Sequence, residues 1–165
     1  NIYTMNNRAE AFWMKKGILG DTVPLELNAK ELVHRNNKNS ELTVYGYTPM
    51  MVSVQCVQKT MDHCNHACVQ YVLKDRYQKE FRGVCSCEFC YNTIYNTLPT
   101  SLLKEKEKAE KLGVKAYRLS FTTETQQETE KIVRAFVDVY LRGQKPDGQM
   151  QTEETTKGHF QRGVE

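Results

Sequence analysis

The sequence predicts an α/β fold: parallel β/α units forming about half of a TIM-like barrel, with a cysteine-rich β-hairpin insertion. Two observations carry this. A short apolar strand, a polar residue, a Glu three positions on and a helical pattern follow one another three times along the chain. All six cysteines, in contrast, fall between positions 56 and 90, where no long helical period runs. About four β/α units are visible, and a closed eight-stranded barrel takes about 250 residues, so 165 residues suit half of one. An independent open-sheet domain satisfies the same pattern.

The first unit has a strand over 2–5, then Asn7-Arg8-Ala9-Glu10 and a helix ending near Gly17. The second has a strand over 23–27, then Asn28-Ala29-Lys30-Glu31 and another helix. Each Asn…Glu pair reads as a capping box, whose side chains satisfy amides that the first helical turn leaves free. Residues 42–45 and 50–54 supply the next strand region, and 101–112 a helix with a Lys/Glu-rich outer face, ended by Gly113. The last unit joins a strand over 116–121 to a Thr125…Glu128 box and a long helix reaching about Leu141. There Ile132, Phe136 and Tyr140, with Val133 and Val137, form an apolar stripe, and Gly143 is placed to end it. Such units imply right-handed crossovers. Residues 1–142 are then the partial barrel and 55–96 its cysteine-rich insertion. Residues 143–165, poor in apolar content, read as a linker or tail.

Charge is nearly balanced, 23 Lys and Arg against 20 Asp and Glu for a net +3, which does not point to non-specific nucleic-acid or anionic-membrane binding, since that usually needs a concentrated basic patch. No apolar run is long enough to span a bilayer, and no signal-peptide pattern opens the chain, so a cytoplasmic setting without a membrane partner is expected. A start at Asn1 and a polar end read as a piece cut from a longer protein. An unprotected sheet edge, where a missing N-terminal half would pair, leads to an expectation of self-association.

A disulfide framework would spread cysteines along a small secreted chain, whereas clustering favours thiolates held for metal or chemistry. Residues 70–73 and 80–84 flank a polar turn and form an antiparallel hairpin whose outer ends bring Cys64 and Cys68 towards Cys85, Cys87 and Cys90. Cys87-Glu88-Phe89-Cys90 is a C-x-x-C knuckle, and with Cys56 and Cys64 it makes a four-thiolate set. Such a set suits a closed tetrahedral Zn²⁺ site or an iron–sulfur cluster, and His63 and His66 add a Cys₃His option for zinc. A redox dithiol and inert buried thiols are the competing readings.

Glu26 stands between Leu25 and Leu27, and Arg118 lies inside the strand 116–121. On the barrel reading both reach the lumen near the catalytic strand ends, where Glu26 and Arg118 are the candidate catalytic residues and the guanidinium holds a substrate carboxylate; solvent-facing strand positions are the alternative. Asn6, Asn92 and Asn96 are polar-site or cap residues, His34 and His159 are expected to be exposed, and Trp13, beside Phe12, is expected in the core. There is no His-Glu-x-x-His, Gly-x-Ser-x-Gly, phosphate loop or dinucleotide fingerprint, so no familiar serine or zinc hydrolase is visible.

The run Tyr45-Gly46-Tyr47-Thr48-Pro49-Met50-Met51-Val52-Ser53-Val54-Gln55-Cys56, the segment Leu73-Lys74-Asp75-Arg76 and Cys87-Glu88-Phe89-Cys90-Tyr91-Asn92-Thr93-Ile94-Tyr95-Asn96 resemble the collagenase-like peptidase family (U-thirty-two) in its long clostridial-type branch. Tyr117-Arg118-Leu119-Ser120-Phe121-Thr122-Thr123-Glu124 and Gly158-His159-Phe160-Gln161-Arg162-Gly163-Val164-Glu165 fit as well. The resemblance implies the latter part of that family's β/α-barrel-like domain, and by its name a peptidase acting on peptides. It also implies an alternative, since relatives hydroxylate RNA bases or quinone precursors without oxygen and hold a four-iron four-sulfur cluster on four cysteines. Cys56, Cys64, Cys87 and Cys90 match that cysteine pattern, while Cys68 and Cys85 look like additions. Zinc in an aerobically purified sample, a zinc-stapled binding module, and inactivity of this stretch on its own complete the expectations.

Overall fold

The computed structural model describes residues 2–61, 64–146 and 154–163. Helix α1 (Asn7–Lys15) begins where the extended Asn6 accepts the amides of Arg8 and Ala9 at 3.1 and 3.0 Å. The cap is therefore one residue earlier than the Asn7 box. Asn7 instead ties α1 to the turn after the next helix, through His34 O and the Asn36 amide. Strand β1 (Asp21–Thr22) precedes α2 (Ala29–Val33), which carries the expected Asn28/Glu31 box, and β2 (Ser40–Gly46) follows. The chain then enters β3 (Pro49–Ser53), α3 (Val57–Thr60), β4 (Gln70–Lys74), β5 (Glu80–Ser86) and β6 (Tyr91–Tyr95). It returns through β7 (Thr100–Ser101) and a 3-10 turn into α4 (Lys106–Lys111), β8 (Ala116–Ser120) and α5 (Gln126–Phe136), which has the Thr125/Glu128 box. A π-helical turn over Val137–Leu141 widens the end of α5, and Gly143 closes it at φ +71°, a conformation only glycine adopts cheaply.

The strands form two sheets. In the first, Tyr3 bridges Thr22, β1 pairs with β2 and β2 with β8, all parallel and in chain order, while β7 runs antiparallel beside the end of β2. The first strand is thus a single bridge, and the second begins and ends before the apolar run at 23–27. One face of this sheet meets the helices: Leu42 and Val44 pack with Leu32 of α2, Ala109 of α4 and Ala135 and Phe136 of α5. Val23, Leu102 and Phe160 complete that core. The opposite face carries the polar residues of the same strands, Thr22, Glu41 and Arg118, bonded to one another. Among the described residues the sheet does not close into a barrel.

The second sheet is wholly antiparallel, in the order β3-β6-β5-β4, and is inserted at the carboxyl end of β2. The expected hairpin is its β4–β5 pair, with Gln70 opposite Val84 and Lys74 opposite Glu80. Asp75 closes its turn by accepting the amides of Tyr77 and Lys79 at 2.7 and 2.9 Å. The insertion therefore starts at Pro49 rather than 55, because residues 50–54 join β6 instead of the parallel sheet. Arg82 docks it on the loop after β8, donating to Thr123 Oγ1 at 3.3 Å and lying over the Tyr47 ring.

Two further expectations give way. Trp13 is 38% exposed and packs edge-to-face on the exposed Phe12, since the nine-residue α1 turns only Glu10 fully inward. The segment 154–163 is not a loose tail. Thr156 accepts the Ser101 amide and donates its own to Pro99 O, Lys157 pairs with Glu105, and Phe160 enters the core. An apolar anchor and backbone pairing hold a stretch whose average composition is polar.

Candidate metal centre

The hairpin joining β5 to β6 is closed by Cys87, Glu88, Phe89 and Cys90, with Ser86 opposite Tyr91 as the last pair. The Phe89 amide turns back to Ser86 O at 3.1 Å, and Cys90 sits in the left-handed region at φ +53°. For a residue with a side chain that conformation costs about 1 kcal/mol. The knuckle is thus a strained hairpin tip presenting two thiols three positions apart in one turn.

The other cysteines reach this tip from two directions. Val69 O accepts the Cys85 amide at 2.9 Å, which prolongs the β4–β5 ladder beyond Gln70 and lays Ala67 and Cys68 beside the knuckle. Cys87 Sγ donates to Ala67 O at 2.8 Å, and Gln58 Nε2 donates to the same carbonyl at 3.2 Å. This second bond ties α3, and Cys56 immediately before it, to the loop that carries Cys64. Burial pushes the Cys87 thiol above its ordinary value, and Cys68, Cys56, Cys64 and Cys90 push it further, since each neighbouring thiolate disfavours another negative charge. Four other sulfurs are therefore within electrostatic reach of Cys87. All six cysteines are free thiols.

Cys85 is different. It is 1% exposed, on the inner face of β5, and its Sγ donates to Asn92 Oδ1 at 2.8 Å. The Asn92 amide in turn donates to Gln55 O at 2.8 Å and to Ser53 O at 3.4 Å. This clasp holds the strand end that delivers Cys56. Asn92 is thus a buried strut, and Asn6 is the α1 cap already described. Asn96 Oδ1 accepts the Thr97 amide at 2.8 Å in the turn after β6.

Among the described residues, no three or more His, Cys, Asp or Glu side chains are already arranged to hold a metal ion. The thiols are gathered, with Cys87 and Cys90 directed at backbone carbonyls and Cys85 at Asn92 rather than at a common centre. His66 is exposed at φ +58°, and His63 lies outside the described residues.

No family model, curated protein or solved structure matches this chain.

The two candidate catalytic residues have separate partners. Glu26 is exposed and accepts a hydrogen bond from Tyr3 Oη, which itself accepts the Leu25 amide. Burial first, and the bond to Glu26 next, push the Tyr3 hydroxyl up to about 12. Arg118 lies on the helix-free face and pairs with Glu41 at 2.8 Å, which also accepts the Thr22 hydroxyl. Among the described residues no hydrogen bond or ion pair joins Glu26 to Arg118. A charged group that sequence reasoning missed lies on the other face: Asp21, sealed against Arg35. Neither residue belongs to a recognisable motif, and only their pairing across the fold reveals them. Among the described residues no helix is long and apolar enough to cross a membrane.

Proposed function

We propose that this chain is the cofactor-bearing part of a β/α-barrel enzyme of the collagenase-like peptidase family, in which Cys56, Cys64, Cys87 and Cys90 hold a four-iron four-sulfur cluster. The observation that carries this reading is the clustering of the other thiols around Cys87 at a strained hairpin tip. A donor set of thiols alone suits a cluster or Zn²⁺, and in air zinc occupies the same sulfurs because it accepts a tetrahedral thiolate shell. The half-barrel reading draws support from parallel strands in chain order with their helices on one face. The insertion then stands at the carboxyl ends of the strands, where β/α barrels place their chemistry.

Of the two activities that the resemblance implies, oxygen-independent hydroxylation of an RNA base or quinone precursor is the better supported. The thiols bond to carbonyls and an amide, and among the described residues none is paired with a histidine base as a nucleophile would be. A bound cluster supplies electron transfer. The chain itself holds the four thiols on a turn and a loop clasped by Asn92 and Gln58, and Arg118 with Glu41 forms a polar face for an anionic substrate. Anaerobic purification followed by iron, sulfide and zinc analysis tests the reading. Visible sulfide-to-iron absorption in the wild type, lost in each of Cys56→Ser, Cys64→Ser, Cys87→Ser and Cys90→Ser, is expected. Full metal occupancy in Cys87→Ser, or a wild type that binds neither iron nor zinc, overturns it.

A further inference from the structure

Tyr71 stands in β4 directly opposite Gly83 of β5, and its ring lies flat over that glycine. A Cβ placed on Gly83 would come within 2.3 Å of the ring and 2.7 Å of the hydroxyl oxygen. Any side chain at 83 would therefore evict the hydroxyl end of Tyr71. The hydroxyl is buried and, among the described residues, has no hydrogen-bond partner. An orphaned donor of this kind costs about 1–3 kcal/mol, and native proteins rarely leave one without a reason. Its surroundings suggest the reason. Register places Tyr71 on the same face of the sheet as Cys85, and both the Cys85 and Cys56 sulfurs lie within electrostatic reach of the hydroxyl, which burial first and then these sulfurs push up. Cys85 gives its one proton to Asn92 and also shares a side-chain hydrogen bond with Cys56, so a Cys56 sulfur that has lost its own proton to a metal has no donor in Cys85.

We propose that Tyr71 is a positioning residue of the metal centre: held in the cradle of Gly83, its hydroxyl donates a hydrogen bond to the Cys56 thiolate once that sulfur carries a metal. A metal-bound thiolate keeps lone pairs that accept hydrogen bonds, and donors outside the ligand shell fix ligand orientation and metal affinity. The free protein then carries an unsatisfied hydroxyl that loading with metal satisfies. This inference rests on the thiolate-metal reading above.

Cobalt(II) titration of the whole chain under reducing, anaerobic conditions is the test, because thiolate-to-cobalt absorption reports both affinity and the electron density on the sulfurs. Tyr71→Phe removes one oxygen and keeps the ring. It is expected to weaken cobalt binding about tenfold, the lower end of the effect of outer-shell substitutions, and to move the thiolate band to lower energy. The metal-free variant, relieved of a buried unpaired hydroxyl, is expected to melt no lower than the wild type. Gly83→Ala, which displaces the same hydroxyl, is expected to reproduce the loss of affinity, and the double variant to be no worse than the weaker single one. Unchanged affinity and band position in Tyr71→Phe overturn the role of Tyr71 while leaving the metal centre standing. A Tyr71→Phe variant that loses stability equally with and without cobalt also overturns it, as that is mere packing. Absence of any thiolate band in the wild type removes the metal centre itself, and the inference with it.

Discussion

Arg35 and Asp21 form an ion pair whose side chains are 3% and 0% exposed. The pair sits between the helices and the first sheet, and every arm of the guanidinium is occupied. Nε donates to Thr4 O at 3.2 Å, Nη1 to Asn37 Oδ1 at 2.8 Å and Ser40 Oγ at 2.9 Å, and Nη2 to Thr4 Oγ1 at 2.6 Å beside Asp21. Thr4 and Ser40 also donate to the Asp21 carboxylate. One network thus pins the segment before α1, the start of β1, the turn after α2 and the start of β2. Removing one partner of such a pair strands a charge in a dry site and costs about 3–5 kcal/mol. Arg35→Met and Asp21→Asn are each expected to lower unfolding stability by that amount, read as a shift of the urea midpoint. Thr4→Val, which loses one hydroxyl of the network, is expected to cost about 1 kcal/mol. An Arg35→Met protein as stable as the wild type defeats the assignment.

What was legible in the sequence was local. The boxes at Asn28/Glu31 and Thr125/Glu128 declare their helices because both partners lie within one turn. The β4–β5 hairpin was legible for the same reason. The partner of residues 50–54 was not, because strand pattern shows that a segment is extended but not which sheet receives it. The Asp21–Arg35 pair was equally hidden, since an ion pair that joins the turn after a helix to a strand start has no sequence period. Phe160 was masked by the polar residues around it. The gathering of the cysteines was anticipated from hairpin geometry. The separate role of Cys85 follows only from the alternation along β5, which turns Cys85 inward while Cys87 stands at the turn.

Glu105 ties the segment 154–163 to the rest of the chain. Burial alone would raise its carboxyl, but hydrogen bonds from Lys108 and Lys157, and the charges of both, outweigh this and hold it below the ordinary carboxylate range. A carboxyl depressed on folding contributes stability above its unfolded pKa and loses it as pH falls through the folded value. Docking of residues 154–163 is therefore expected to weaken on acidification below the ordinary carboxylate range, and not on raising the pH from neutrality. Hydrogen exchange at the Ser101 and Thr156 amides reads this directly. Glu105→Gln is expected to speed exchange at neutral pH and to abolish the acid dependence. Exchange in Glu105→Gln that still steepens on acidification rules out this carboxylate as the cause.

Cys85 tests whether the thiols divide by role. Its sulfur is sealed and bonded to Asn92, so it serves the clasp rather than the ligand set. Cys85→Ala is expected to retain the full metal content of the wild type and to lose about 1–2 kcal/mol of stability, from one hydrogen bond and a small cavity. Asn92→Ala is expected to be worse, because it also frees Gln55 O and Ser53 O. Loss of metal in Cys85→Ala with stability preserved would reverse the division and make this sulfur a ligand.

The edge of the second sheet is the remaining surface with a physical tension. Among the described residues strand β3 pairs only with β6, and Met50, Met51 and Val52 are all more than half exposed, at 61, 52 and 65%. Because neighbouring residues of a strand point to opposite faces, this exposure means that neither face of β3 is covered. The strand Pro49–Ser53 carries no charge. Edge strands that stay monomeric usually carry a charge, a Pro or a bulge to block pairing with another chain; β3 has Pro49 and a register shift only at its start, and no such guard along residues 51–53. Self-association through β3, two copies pairing edge to edge, is the expected behaviour. It would be read as a concentration-dependent rise in sedimentation coefficient. Val52→Lys places a charge mid-strand without touching the core, so it is expected to shift the protein to monomer with an unchanged melting temperature. Association that persists undiminished in Val52→Lys would place the contact elsewhere, with the exposed Phe12 and Trp13 of α1 as the next surface to alter.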